Sequence, residues 1–248
     1  MCQDHDRTKQ AAGSLYHDPS FRGRCPTECH AHGPVQCRRT CPNVTDQFQT
    51  GRRESSEIPG PPVARQSALP ALLSYTGIVF KRIAPKDFTK DDLEYAQQHL
   101  LISSFLYGLL RPLDLIKNYR LEGDVRLSEN NNETMFNFWK PRLTDYFIAQ
   151  IKQQGGLLIN LASSEMKDLV DWGKVTREVK VITPEFQVYK NGKPATVVIY
   201  TKMCRGEMTR FILKNRLEDA ESLKSFSWEG FNYNPRLSTD TQMVFTME

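Results

Sequence analysis

The chain has no run of about 18 consecutive apolar residues, the length a helix needs to cross a bilayer, so no membrane partner is expected. Its opening, "MCQDHDRTKQ", lacks the apolar stretch of a secretory signal, which points to the cytoplasm. Histidine is scarce: of five, only His99 lies beyond residue 32, in the middle of a helix-like pattern. No Gly-rich nucleotide loop, nucleophile–base pair or paired carboxylate spacing can be quoted, so an enzymatic reading lacks named chemistry and no cofactor is implied. Cysteine is nearly absent from the main body of the chain. Cys2, Cys25, Cys29, Cys37 and Cys41 crowd the beginning and only Cys204 lies beyond, a distribution unlike a secreted disulfide framework and in keeping with a reducing compartment. Charge of one sign is not in large excess either: 33 basic against 29 acidic side chains leave +4, too mild by itself to announce nucleic acid.

Residues 1–66 have no Trp, no Ile before Ile58, and three aromatics, Tyr16, Phe21 and Phe48. Neither a period of 3.6 nor of 2 persists there, and Pro, Gly, Ser, Arg, Gln and His fill the segment. Such a composition buries too little apolar area to offset the entropy of ordering, so disorder is expected. Within it, "CPTECHAHGPVQCRRTC" offers Cys25, Cys29, Cys37 and Cys41 with His30 and His32 as tetrahedral zinc ligands. Structural zinc pairs usually sit near Cys-x2-Cys spacing inside an apolar framework; nothing apolar surrounds these, and the spacings of iron–sulfur ligation are missing too. The reading is therefore no metal.

From Ser67 the text becomes that of one folded domain, 67–248. "TGIVFKRI" reads as a short strand. Thr89, with Asp92 three residues on, caps a helix from Lys90, and "DDLEYAQQHLLISSFL" continues it with Leu93, Ala96, Leu100 and Leu101 on one stripe. "NETMFNFWKPRLTDYFIAQIKQQGG" reads as helix, with Pro141 opening a second one and Gly155–Gly156 ending it. "LLINLAS" is a buried-type strand, with Ser163 or Ser164 as the next cap. "EFQVYKNGKPATVVIYT" is a β-hairpin around a type I′ turn at Asn191–Gly192. "GEMTRFILKNRL" is an amphipathic helix, Asp219 caps another, and "GFNYNPRLSTDTQMVFTM" gives two closing strands. Antiparallel hairpins mixed with helices define α+β, a single domain with a β-sheet and packed helices.

Two places invite anions. In "YGLLRPLDLIKNYRLE", Gly108 and Pro112 break the helical pattern amid cations. Two short helices joined at Gly108 form a helix-hairpin-helix-like element, whose backbone N–H groups take a phosphate flanked by Arg111, Lys117 and Arg120. In "KMCRGEMTRFILKNR", Arg205 and Gly206 read as a strand-to-helix corner, with Lys202, Arg210 and Lys214 extending a cationic row suited to backbone phosphates. The plainer reading is a leucine core with surface ion pairs, Arg120 to Glu122 or Asp114, and a helix face balanced by Glu207 and Glu218. A pocket for a small anionic or nucleotide substrate is the alternative, formed by Asn160, Ser163 and Glu165 after the strand, with Tyr119, Arg120 and Glu122 from another loop. Cys204 beside Arg205 reads as a small buried residue before a reactive thiol.

These motifs resemble, in order, the YaaA family of bacterial peroxide-stress proteins: "YGLLRPLDLIKNYRLE", "FNFW" at 136–139, "INLAS" at 159–163, "KMCRGEMTRFI" at 202–212, then "GFNY" and a late "VF". The resemblance runs from about Arg65 to the C-terminus. It implies DNA binding through a hairpin of this kind in a basic cleft, in a response to hydrogen peroxide that limits damage from unincorporated iron. Departures are present. The family's hydrophobic first strand and "SPAK"-like turn are missing, and residues 1–66 read as an unrelated, out-of-frame beginning. Phe105 stands where a small residue is usual, Cys204 replaces an alanine, and Met166 an aromatic.

Overall fold

The computed structural model describes residues 68–127 and 132–248. The expectations for residues 1–66, disorder and the ligating roles of Cys25, Cys29, Cys37 and Cys41 included, lie outside the described residues. The chain runs β1 (Leu69–Pro70), α1 (Ala71–Ser74), α2 (Ile78–Ile83), α3 (Lys90–His99), β2 (Ile102–Ser104), β3 (Gly108–Leu110), β4 (Leu115–Ile116), β5 (Arg126–Leu127) and β6 (Glu133–Thr134). After these come α4 (Met135–Gln153), β7 (Leu157–Ile159), α5 (Trp172–Glu178), β8 (Lys180–Lys190), β9 (Lys193–Ala195), α6 (Val198–Asn215), β10 (Asn232–Tyr233) and β11 (Gln242–Met247). This is an α+β domain.

Its largest sheet has the order β10-β11-β8-β7, with β9 on β8. β8 lies parallel to β7, Leu157 opposite Lys180, and parallel to β11, Gln242 opposite Thr183. Its hairpin to β9 turns at Asn191 and Gly192, whose φ of 52° and 72° are the pair of positive values a type I′ turn needs. β10 and β11 pair antiparallel, as the closing text implied. Two cores flank α6. Met208 and Cys204 pack with Ile182, Phe186, Phe231 and Phe245 of the sheet side. Leu213 instead joins Leu72, Ile83, Ala96 and Leu110. α6 thus ties the helical layer to the sheet, and each core is apolar area withdrawn from water.

Several local expectations fail for tertiary reasons. "TGIVFKRI" is the helix α2, which turns Ile83 into the core and lays Val79 against α6. α3 begins with a full capping box at Thr89 and Asp92 but stops at His99, and Leu100 is extended. No helix exists between residues 100 and 127: the helix-hairpin-helix-like element is instead the β2–β3 hairpin, Ile102 opposite Leu110, followed by β4 on β1. Pro141 sits inside one continuous α4, without opening a second helix. "TVVIYT" leaves the hairpin early, and α6 starts at Val198.

Candidate nucleic-acid interface

The site is built on the β2–β3 hairpin. The indole N–H of Trp139, from the "FNFW" stretch, donates to the Phe105 carbonyl at 2.7 Å. Gly108, at φ +76°, passes so close beneath the same indole that a Cβ would lie 3.0 Å from its ring. Phe136 meets Phe105 edge-on, centroids 5.4 Å apart. This clamp fixes Ser104, 2% exposed, whose hydroxyl accepts the Tyr107 N–H at 2.9 Å. Ser104 Oγ shares a 2.6 Å hydrogen bond with the Tyr119 hydroxyl, and Tyr119 shares a 2.9 Å bond with the Tyr75 hydroxyl. Burial, and then the neighbouring Tyr119, push the Tyr75 phenol well above its ordinary pKa, so it stays protonated. Burial raises Tyr107 as well, and its hydroxyl accepts the Lys117 N–H at 3.2 Å.

Around this relay opens a hollow of about 340 Å³, walled by Tyr75, Phe80, Phe105, Tyr119 and Met166. The Tyr75 and Phe80 rings stack with centroids 4.8 Å apart. Arg120 stands at the rim with its side chain 92% exposed, paired with Glu122 at 3.6 Å. Lys117, on the same stretch, is exposed. A larger depression of about 790 Å³ lies near the C-terminus, beside Tyr189, Tyr233 and Arg236; there Asn234 and Thr246 bond to each other.

The other predicted phosphate ligands are otherwise engaged. Arg111 donates to the carbonyls of Gln97 (3.0 Å) and Gln98 (2.7 Å) and to Gln150 Oε1, closing the C-terminus of α3. Arg205 and Gly206 lie inside α6, not at a strand-to-helix corner, because that helix begins at Val198. Gly206 is buried where α2 crosses: a Cβ would fall 2.3 Å from the Val79 carbonyl oxygen. Gly108 and Gly206 are both packing positions, so neither bend offers amides to an anion. Arg210 grips Asp87 through two bonds of 2.7 and 2.6 Å and holds that carboxyl below its ordinary pKa. Lys214 bonds Asp92 at 2.7 Å; with the Thr89 cap it holds the buried Asp92 carboxyl at about 2. Lys202 is exposed. Lys117, Arg120 and Lys202 are thus the predicted cations that face solvent.

Of the alternative pocket, Tyr119 lines the hollow and Glu122 braces its rim arginine, whereas Asn160, Ser163 and Glu165 do not line it. Met166 is the point where the loop after β7 reaches it. Ser163 precedes a short 3-10 turn without a side-chain cap bond. Asn160, 6% exposed, hydrogen-bonds through its N–H to the Ile182 carbonyl, while among the described residues neither its Nδ2 nor Arg205 Nε, which feels the charge of Glu185, has a partner. Tyr75, Phe80 and Ser104 were not singled out from sequence, since nothing local marks a hydroxyl that meets its partner 44 residues away. His99 stacks on Tyr95 and donates to its carbonyl at 2.8 Å. Cys204 is fully buried, and burial, aided by Glu207, pushes its thiol up to about 12; the neighbouring arginine does not activate it.

A mixed α+β domain with a hydroxyl-lined aromatic hollow beside exposed cations is the class the geometry defines. A sequence model described as peroxide stress protein YaaA matches residues 43–237. A UPF0246 protein of Bacteroides fragilis is 67% identical over 178 residues, 72% of this chain and 69% of the relative. One from Phocaeicola vulgatus is 65% identical over 181 residues, 73% and 71% of the two chains. At greater distance, a UPF0246 protein of Saccharophagus degradans is 38% identical over 183 residues, again 73% and 71%. The chain belongs to the YaaA family of peroxide stress proteins.

Proposed function

We propose that this peroxide-stress family member binds DNA, chiefly through backbone phosphates, in the cytoplasm, and so limits damage linked to free intracellular iron. The observation that carries the reading is the exposed pair Lys117 and Arg120 on the segment that walls the hollow. Among the described residues Arg120 is held only by an exposed ion pair, which contributes little and yields readily to a phosphate that accepts two guanidinium bonds. Binding of this kind falls with salt, by a slope of about 0.9 per phosphate neutralised. Lys117→Glu with Arg120→Glu should therefore weaken duplex and single-strand binding alike and flatten the slope of log K against log salt by roughly two. Affinity independent of salt, or unchanged in the double variant, defeats the reading. The iron-linked part rests on the family's peroxide role. It is tested by free iron in peroxide-treated cells carrying the double variant, which should match that of cells without the protein.

A second reading, a small anionic substrate, is favoured by one observation: the donors Asn160 Nδ2 and Arg205 Nε are buried without partners among the described residues, and both residues are tied to β8. A carboxylate or phosphate accepting from either would relieve that cost. Thermal shift with nucleotides and small carboxylates tests it, and no stabilisation across the panel removes it.

A further inference from the structure

We infer that the hollow walled by Tyr75, Phe80, Phe105, Tyr119 and Met166 seats one unstacked nucleobase while Arg120 holds the adjoining phosphate. The inference rests on the DNA-binding reading and names the part of the nucleic acid that the site grips.

Size comes first. About 340 Å³ is at the small end of ligand sites, which run from roughly 300 to 1,000 Å³; it has room for one nucleoside-sized group and none for a duplex. The walls come next. Tyr75 and Phe80 present a stacked pair inclined by 27°, Phe105 is steadied by Phe136, and Met166 adds a polarizable thioether. Flat aromatic faces take any base by stacking, because every base has a π-face.

The polar contents of the hollow are the more specific clue. Tyr75, Tyr119 and Ser104 carry three hydroxyl protons between them. Their two mutual hydrogen bonds, Tyr75 with Tyr119 and Ser104 with Tyr119, use two. Whichever way those two bonds run, one hydroxyl proton is left over, for Ser104 to share with Tyr75 or for a bound acceptor to take. A backbone N–H, that of Tyr107, also donates to Ser104, so an acceptor entering the hollow meets a relay rich in donors. A ring nitrogen or exocyclic carbonyl of a base is such an acceptor, and each of the four bases carries at least one. Tyr75, kept neutral by burial, stays a donor throughout the physiological range.

The charge lies one residue away. Arg120 follows Tyr119 directly and projects into solvent at the rim, with Lys117 two residues before Tyr119. A base in the hollow thus leaves its phosphate beside a guanidinium. A base with an adjoining phosphate occurs in an unpaired stretch of a strand and in a free mononucleotide.

Two arms distinguish them, using the full chain and 2-aminopurine fluorescence at fixed salt. In the first, the probe base sits in a single strand, in a one-base bulge, or fully paired. In the second, free dAMP competes. The expected result is quenching by the single strand and the bulge, affinity about tenfold above the paired duplex, and release of quenching in Phe80→Ala. Arg120→Gln, at a rim side chain that is 92% exposed, guards against a misfolded Phe80 variant and should weaken binding of the unpaired probes severalfold with an unchanged circular dichroism melt. Displacement by micromolar dAMP with no strand quenching assigns the hollow to free nucleotides and removes the strand as occupant. Equal, salt-dependent binding of paired and unpaired probes overturns the inference and leaves DNA binding standing. No salt-dependent binding of any probe overturns both.

Discussion

Gly206→Ala separates a packing glycine from an anion-binding one. A Cβ at this position would stand 2.3 Å from the Val79 carbonyl oxygen and 2.6 Å from Arg82 Cβ, where ordinary contact begins near 3.4 Å. Both atoms belong to α2, and the nearer is backbone, so no side-chain rotation clears it. α2 must back away from α6 by about an ångström, which loosens the Arg82 contacts with Glu207 (3.4 Å) and the Trp228 ring (5.1 Å). Overpacking of this kind costs about 1–3 kcal/mol. Alanine returns about 1 kcal/mol of helix propensity. With a backbone atom in the way the clash falls in the upper half of that range, so the opposing terms leave a net loss of roughly 1–2 kcal/mol, read as a lower urea midpoint at constant m. Affinity of the still-folded variant for DNA should be unchanged. A variant as stable as the parent, or a stable one that has lost DNA binding, would refute the packing role.

Other substitutions probe the same frame. Asp92, lowered from 3.8 to about 2 chiefly by Lys214, contributes stability that is complete above pH 4 and lost as pH falls through 2. After solvent screening that is about 1–2 kcal/mol, and Asp92→Asn should flatten acid melts in that window relative to the parent; parallel curves would contradict it. Arg111→Ala removes donors to the Gln97 and Gln98 carbonyls and should cost about 1–3 kcal/mol of stability with DNA affinity retained. Unchanged stability with weakened binding would make Arg111 a phosphate ligand instead. Hydrogen peroxide should leave Cys204 unmodified in the native protein by peptide mass spectrometry, and oxidise it only after unfolding; sulfenic acid there at low peroxide would disprove its inertness.

What was legible in the sequence is what neighbouring residues decide. The Thr89–Asp92 capping box and the Asn191–Gly192 turn are set within four residues by side-chain bonding and positive φ, and both stand where the text puts them. Residues 100–116 read as helix because their apolar spacing suits helix and strand alike; the deciding partner is Trp139, reaching Phe105 from 34 residues away. "VIYT" has strand propensity yet lies in α6, with Val198 65% exposed and Cys204 and Met208 setting which face is buried. Arg210 and Lys214 do share a helix face, but their counter-ions are Asp87 and Asp92, 123 and 122 residues distant, not Glu207 and Glu218 nearby. The hydroxyl relay had no local signature, for it assembles three side chains from three separate elements.

Photocrosslinking with DNA that carries 5-iodouracil at one unpaired position asks most directly where the nucleic acid sits. Peptide mapping should find the adducts on Tyr75, Phe80, Phe105 or Tyr119, and they should vanish with Lys117→Glu and Arg120→Glu. Adducts on Tyr189 or Tyr233 in the C-terminal depression, or adducts untouched by the double variant, would place the binding surface elsewhere.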